Sequence, residues 1–498
     1  MNVNPITRLD YPDPDVIRVE DTYYMVSTTM HFMPGCEILQ SFDLVHWEHA
    51  TYVYETLDHT DAQQLKSGQN IYGQGMWAAS LRYHEGRFYI CFVANDTRKT
   101  YLYTSEKIDG PWKKQLIEGF YHDGSLLFDE DGRNYIVYGN DEIWITELNE
   151  DLTAPKKDGL HRLLVSDHKN PKLGYEGSHI QKINGYYYIF LIHSLRDRWM
   201  RTEACFYSDS LEGEFTGGDV LCDDRGYCGQ GVAQGGIVDT PDGKWYAMLF
   251  QDSGAVGRLP ILLPVTWKDH FPVFGQNGHV PEEIEVHSTR PGYIYQPLVG
   301  SDDFCNGLLP RWQFNHDPDP QYYHLDALQG TYTITTREVC TELTQAVNTL
   351  TQRMSYPSCA AEVTVDASAL KEGDVAGLCA FQGCYAAVGI TKHHGKYEVL
   401  MLDKKEDGIL DMTEGTVVES HQMDFRFEAD FCNMKDEARC YYRVNKGDWL
   451  PIGTVHKLYF KLDHFTGCRF GLFCYAAEET GGSACFRDFK YYDVDEIS

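Results

Sequence analysis

The chain has 498 residues, 43% of them hydrophobic and 23% charged, with 43 basic against 74 acidic side chains and a formal net charge of −31. That length predicts two or three domains, and the apolar content excludes a disordered chain. The acidic balance excludes wrapping of nucleic acid and docking on anionic lipid, both of which need a basic footprint.

No apolar run approaches the roughly 18–20 residues that span a bilayer, the longest lying near 186–192. The amino terminus lacks a basic stretch followed by an apolar core, so we expect no signal peptide and a cytoplasmic protein. Fifteen cysteines, an odd number, contain no Cys-x-x-Cys pair. They match no zinc template and are expected to be buried free thiols in a reducing compartment.

In chain order, short β-branched and aromatic runs bounded by Gly, Asp or Asn predict strands almost throughout. A strand, an acidic or Gly-containing turn and a second strand bearing a tyrosine recur five times. The tyrosines are Tyr24, Tyr89, Tyr135, Tyr188 and Tyr246. Each interval suits one four-stranded blade, so the five units predict a five-bladed β-propeller over 1–298. From Ser301 a new alternating pattern with tight turns predicts a β-sandwich, jelly-roll-like, over 299–498. The fold class is therefore all-β.

Aligning the repeats places Asp13, Ala78, Asp123, Glu176 and Gln234 at one position, just ahead of each first strand. First strands line a propeller's axis, so these five residues ring one mouth of the channel. Three are acids. Acids crowded at a mouth repel, which raises at least one pKa and suits one carboxyl to donate a proton while another accepts one. Glycoside hydrolysis needs such a pair; the alternative is turn capping or cation binding.

The segments Tyr11-Pro-Asp-Pro-Asp-Val-Ile-Arg18, His122-Asp-Gly-Ser-Leu-Leu-Phe128 and Tyr175-Glu-Gly-Ser-His179 resemble the three acid motifs of glycoside hydrolase family 43. Phe32-Met-Pro-Gly35, Ser41–Glu48, Gly75–Ala78 and Gly257-Arg258 extend the resemblance. Ser301–Phe304, Trp312–His316 and Asn348–Arg353 look like the sandwich attached to β-xylosidase and α-L-arabinofuranosidase members.

The resemblance implies inversion, with Asp13 as general base, Glu176 as general acid and Asp123 tuning and orienting the acid. Asp15, two residues on, is a rival for the base, but the repeat register sets it at the start of the strand. Arg258 matches a substrate-contacting arginine, and Trp77, His31, Phe32 and Gln234 are candidate substrate contacts. Many relatives carry a histidine in place of Gln234, in several of them on a central calcium. No cofactor is required by this reading; a structural calcium is left open, and His287 is a weaker metal candidate.

The expected activity is exo-release of single pentoses from short neutral xylo- or arabino-oligosaccharides. β-D-Xylose is the first choice, and α-L-arabinofuranose or both sugars the alternative. A non-catalytic carbohydrate-binding propeller is the competing class. The sequence leaves the oligomeric state open, a homo-oligomer included.

Overall fold

A computed structural model describes residues 3–493. Among them the fold is all-β, interrupted by three single 3-10 turns, Lys66–Gly68, Leu343–Gln345 and Cys432–Met434. Five four-stranded antiparallel sheets follow one another from Asp15 to Phe274. Their innermost strands are Asp15–Val19, Met76–His84, Ser125–Phe128, Glu176–Ile183 and Val232–Asp239. Each packs beside the next around the ring, and the first meets the last, so the predicted propeller is closed.

Local sequence explains the blades. Each recurrent tyrosine lies on the second strand opposite an inner-strand residue, as in Ile17↔Tyr24 and Gln181↔Tyr188. Glu85-Gly86 and Asn184-Gly185 turn two of these hairpins with positive φ at both residues, the backbone of a type I′ turn. Among the described residues no strand is exchanged to close the ring. Instead the amino-terminal segment bonds along the fifth blade, with Ile6 N to Pro260 O at 2.8 Å and Tyr11 N to Arg258 O at 3.1 Å.

The axis is plugged by one arginine. Arg82 donates to Asp15 at 2.8 Å, Leu126 O at 2.8 Å, Ser125 Oγ at 2.7 Å and Ile180 O at 3.2 Å, tying four inner strands together. A half-buried guanidinium that satisfies this many acceptors fixes the relative rotation of the blades, which sets the ring residues above it.

Residues 313–493 form two face-to-face antiparallel sheets. Their shared core includes Trp312, Tyr332, Phe425, Phe427, Phe470 and Phe486, all nearly inaccessible. Ala255, Val256 and Leu259 of the fifth blade belong to the same core. The two-residue strand Phe32–Met33 leaves the first blade to pair with Gln313–Asn315 of the sandwich.

All fifteen cysteines are free, and ten are buried as expected. Cys222, Cys228, Cys305 and Cys432 are exposed, correcting the expectation of uniform burial. These four lie in turns and connections outside the strands, open to solvent.

Candidate active site

The ring positions have unusual backbones. Asp13, Asp123 and Gln234 adopt left-handed φ of 53°, 48° and 62°. Such angles are strained for residues with a Cβ and persist only where neighbours impose them. Pro12 O accepts the Thr28 N–H at 3.2 Å, His122 O accepts the Gly139 N–H at 3.0 Å, and the Gln234 N–H donates to buried Glu203 at 2.7 Å. In the fourth blade Gly177 takes the positive φ, 64°, directly after Glu176. A Cβ on Gly177 would lie 2.7 Å from the Gln234 side chain, so both φ and space require glycine.

This backbone aims three carboxyl groups at one region. Asp13 has both oxygens engaged: Thr28 Oγ1 donates to Oδ2 at 2.6 Å and Arg258 Nη1 to Oδ1 at 2.9 Å. Asp123 Oδ2 accepts the Gly177 N–H at 3.0 Å and lies 3.5 Å from His122 Nε2. Glu176 Oε2 accepts from Asn140 Nδ2 at 2.7 Å and stands 3.6 Å from the same His122 nitrogen. Glu176 Oε1 carries no hydrogen bond among the described residues.

Charge and burial divide the roles. Burial, with the Glu176 and Asp13 carboxylates adding to it, overbalances the attraction of His122 and raises Asp123 to about 6. The carboxylate of Asp123, then Glu176 and Asp13, outweigh burial and raise His122 to about 9. Near neutrality an imidazolium therefore sits between two acids.

The sandwich completes the site. Phe465, on a loop after the strand Leu450–Lys457, lays its ring 4.2 Å from the Arg258 guanidinium and 5.8 Å from the Trp77 ring. Phe460 and Phe250 flank the same guanidinium at 5.8 and 5.4 Å. Glu176, Phe460 and Phe465 also line a cleft of about 1050 Å³ between blades four and five and the sandwich.

The structure brings Asp13, Asp123, Glu176, Gln234, Trp77 and Arg258 into this region. It does not bring His31 or Phe32 there. His31 is wholly buried, both ring nitrogens without a hydrogen-bond partner among the described residues, against Phe32, Tyr72, His316 and His464. Phe32 is 1% exposed beneath the Arg469 guanidinium, 3.4 Å from its ring. Their expected place as walls of the sugar site is corrected: the strand they begin belongs to the domain junction.

Asp15 is saturated by Arg82, His179 and the Leu81 N–H. Although burial raises its pKa, those partners outweigh it and hold Asp15 in the ionised form against the Arg82 guanidinium. His287 is an exposed residue 3.1 Å from Glu285. Thr28, His122, Asn140, Phe460 and Phe465 are functional candidates that sequence reasoning missed. Only His122 carried a signal, its adjacency to Asp123.

Calcium fits poorly here. His122, Asp123 and Glu176 present ligand atoms within 4.8 Å of one another. However, calcium takes six to eight oxygens, and this set offers two carboxylates and an imidazole nitrogen.

Comparison with known proteins agrees with this architecture. Residues 3–272 match the model of glycosyl hydrolases family 43, and residues 301–492 match the beta xylosidase C-terminal concanavalin A-like domain. A beta-xylosidase of Formosa agariphila is 26% identical, over 99% of this chain and 89% of that protein. A xylosidase/arabinosidase of Butyrivibrio fibrisolvens is 24% identical, over 99% of each. A bifunctional GH43-CE structure from Bacteroides eggerthii is 42% identical with a TM-score of 0.92; it covers 99% of this chain, which spans 64% of that one. With its catalytic-type acids ringed at one propeller mouth, the chain belongs to glycosyl hydrolases family 43.

Proposed function

We propose that this enzyme is an inverting exo-glycosidase that removes terminal pentose, β-D-xylose first, from the non-reducing ends of short xylo-oligosaccharides. The observation that carries the reading is the division among three convergent carboxyls. Asp13 is held by a hydroxyl and a guanidinium, Asp123 is buried against an imidazolium, and Glu176 keeps one oxygen free beside the cleft.

Asp13 takes a proton from the attacking water as the water oxygen bonds to the anomeric carbon. Glu176 gives its proton to the glycosidic oxygen as the carbon–oxygen bond breaks. Arg258 and Thr28 fix the orientation of the base, and Asn140 fixes that of the acid. Asp123 and His122 set the field around Glu176. The chemistry is written through these side chains alone, with no cofactor and no structural calcium. Fifteen unpaired cysteines, four of them exposed, support a reducing, cytoplasmic location.

α-L-Arabinofuranose is the second reading, favoured by the relative named a xylosidase/arabinosidase. Rates on nitrophenyl β-xyloside and α-arabinofuranoside, measured side by side, rank the two sugars. Asp13→Asn and Glu176→Gln should each lower the rate on the better substrate at least about a hundredfold. Nuclear magnetic resonance of the first-formed anomer reports inversion. Variants as fast as wild type would overturn the assignments, and a retained anomer the mechanism.

A further inference from the structure

The cleft beyond Glu176 is unlike a groove shaped for bare sugar. Its inner end is continuous with the catalytic region through Glu176, Phe460 and Phe465. One wall offers a sugar platform: Trp199 is 47% exposed. The Arg201 guanidinium lies 5.6 Å from that ring and 5.1 Å from Phe250, the ring that also flanks Arg258. Arg201 faces Asp252 at 3.1 Å, yet among the described residues its guanidinium makes no hydrogen bond, leaving donors for a polar partner.

Aliphatic side chains interrupt the polar lining of the other walls, which includes Lys172, Gln230, Asp436 and Lys457. Leu173 and Leu458 line the cleft, and Val455 and Leu462 stand on its border, 47% and 71% exposed. Several of the charges around them already have partners, Lys461 with Glu406, Lys405 with Asp411 and Asp403 with His456, which leaves an ionic ligand less to gain. Exposed aliphatic side chains gathered around a cleft mark a surface that awaits an apolar ligand.

A general acid stands beside the leaving oxygen, so the space it borders is the leaving group's. We propose that this cleft receives the leaving group and is built for one carrying an apolar substituent, either an acyl ester on the departing sugar or an alkyl or aryl aglycone. The proposal rests on Glu176 being the acid, as in the functional reading above.

The test is a homologous series, methyl to octyl β-D-xyloside, in which the basicity of the leaving oxygen hardly changes. Each methylene that enters the cleft should raise kcat/KM about threefold until the chain passes the rim. Trp199→Ala and Leu462→Asn, both at exposed positions, should lower the octyl-to-methyl ratio at least about tenfold. Xylobiose acylated on its reducing-end residue, compared with bare xylobiose, distinguishes the sources. A gain there assigns the acylated sugar, and a gain confined to the alkyl series assigns the aglycone.

Calorimetric titration of the same series into Asp13→Asn protein reads binding without turnover. If wild type hydrolyses no pentoside yet the variant binds octyl xyloside more tightly than methyl xyloside, the functional reading fails and takes the leaving-group assignment with it, while an apolar-binding cleft remains. If hydrolysis proceeds while neither rate nor affinity depends on chain length, the cleft assignment is overturned.

Discussion

Replacing Asp123 by Asn should make the protein more stable and less active. Asp123 is buried, and its pKa is raised from 3.8 to about 6, so at neutral pH the folded state holds a carboxylate that its surroundings disfavour. About two pKa units at 1.36 kcal/mol each amount to roughly 3 kcal/mol, an upper figure for the stability that ionisation of Asp123 removes. The attraction of His122 is already contained in that value. The sign follows from a folded pKa above the unfolded one. The destabilisation is absent below about pH 4, grows through the interval between the two pKa values, and is complete above about pH 6. Asparagine keeps the shape without the charge. Thermal or urea unfolding of wild type and Asp123→Asn from pH 4 to 8 should therefore give coincident stabilities at the acid end. At pH 7–8 the variant should lead by about 1–3 kcal/mol, while its kcat/KM falls at least tenfold. A variant less stable at pH 8, or one with the same advantage at pH 4, would refute this account of the site's electrostatics.

Three further outcomes are expected. His122, whose proton is held chiefly by Asp123, should titrate near 9 by nuclear magnetic resonance and move at least one unit toward 6.5 in Asp123→Asn; no movement would place its proton elsewhere. Phe465→Ala removes the ring 4.2 Å from Arg258 and should lower kcat/KM about tenfold, the effect of roughly 1.4 kcal/mol of lost cation–π contact, with a melting temperature near that of wild type. His31→Leu removes two buried, unpartnered nitrogens and should raise stability by about 1 kcal/mol with kcat/KM within twofold of wild type; a tenfold loss of activity would return His31 to the sugar site.

The propeller was legible in the sequence because its repeat is written twice, once as hairpins and once as acids at equivalent positions. Asp13, Asp123 and Glu176 lie on different blades, yet each sits at the mouth end of an inner strand, so aligning the blades aligned them in space. Partners supplied from outside that repeat position were not legible. Thr28 reaches Asp13 across 15 residues from just past the neighbouring strand, Asn140 reaches Glu176 across 36, and Phe465 reaches Arg258 across 207. No local pattern marks such contacts. His31 and Phe32 failed for the converse reason. They follow the first hairpin as a wall of the site would, but Phe32–Met33 finds its hydrogen-bond partner in Gln313–Asn315, and that pairing turns both side chains into the junction.

That junction bears on what the sandwich does. One buried carboxylate, Asp10, accepts the Arg258 N–H through Oδ1 at 2.8 Å and the Gly467 N–H through Oδ2 at 2.7 Å. It thereby ties the strand that holds the base's guanidinium to the loop that carries Phe465. A Cβ on Gly257 would lie 2.3 Å from Asp10, and one on Gly467 2.8 Å from it, so both segments approach it as closely as backbone permits. Arg353 of the sandwich donates to Asp10 O at 2.9 Å, pairs with Glu37 at 2.9 Å and stacks 4.1 Å from Tyr11, next to the first acid motif. Buried charge pairs of this kind are strongly destabilising to break one partner at a time. An independent binding module would need a hydrated, separable interface. Here the fifth blade shares its apolar core with the sandwich, and the sandwich contributes Phe460 and Phe465 to the catalytic region. The second domain is thus part of the active site's wall, and the position of Arg258 on Asp13 depends on both domains being folded together.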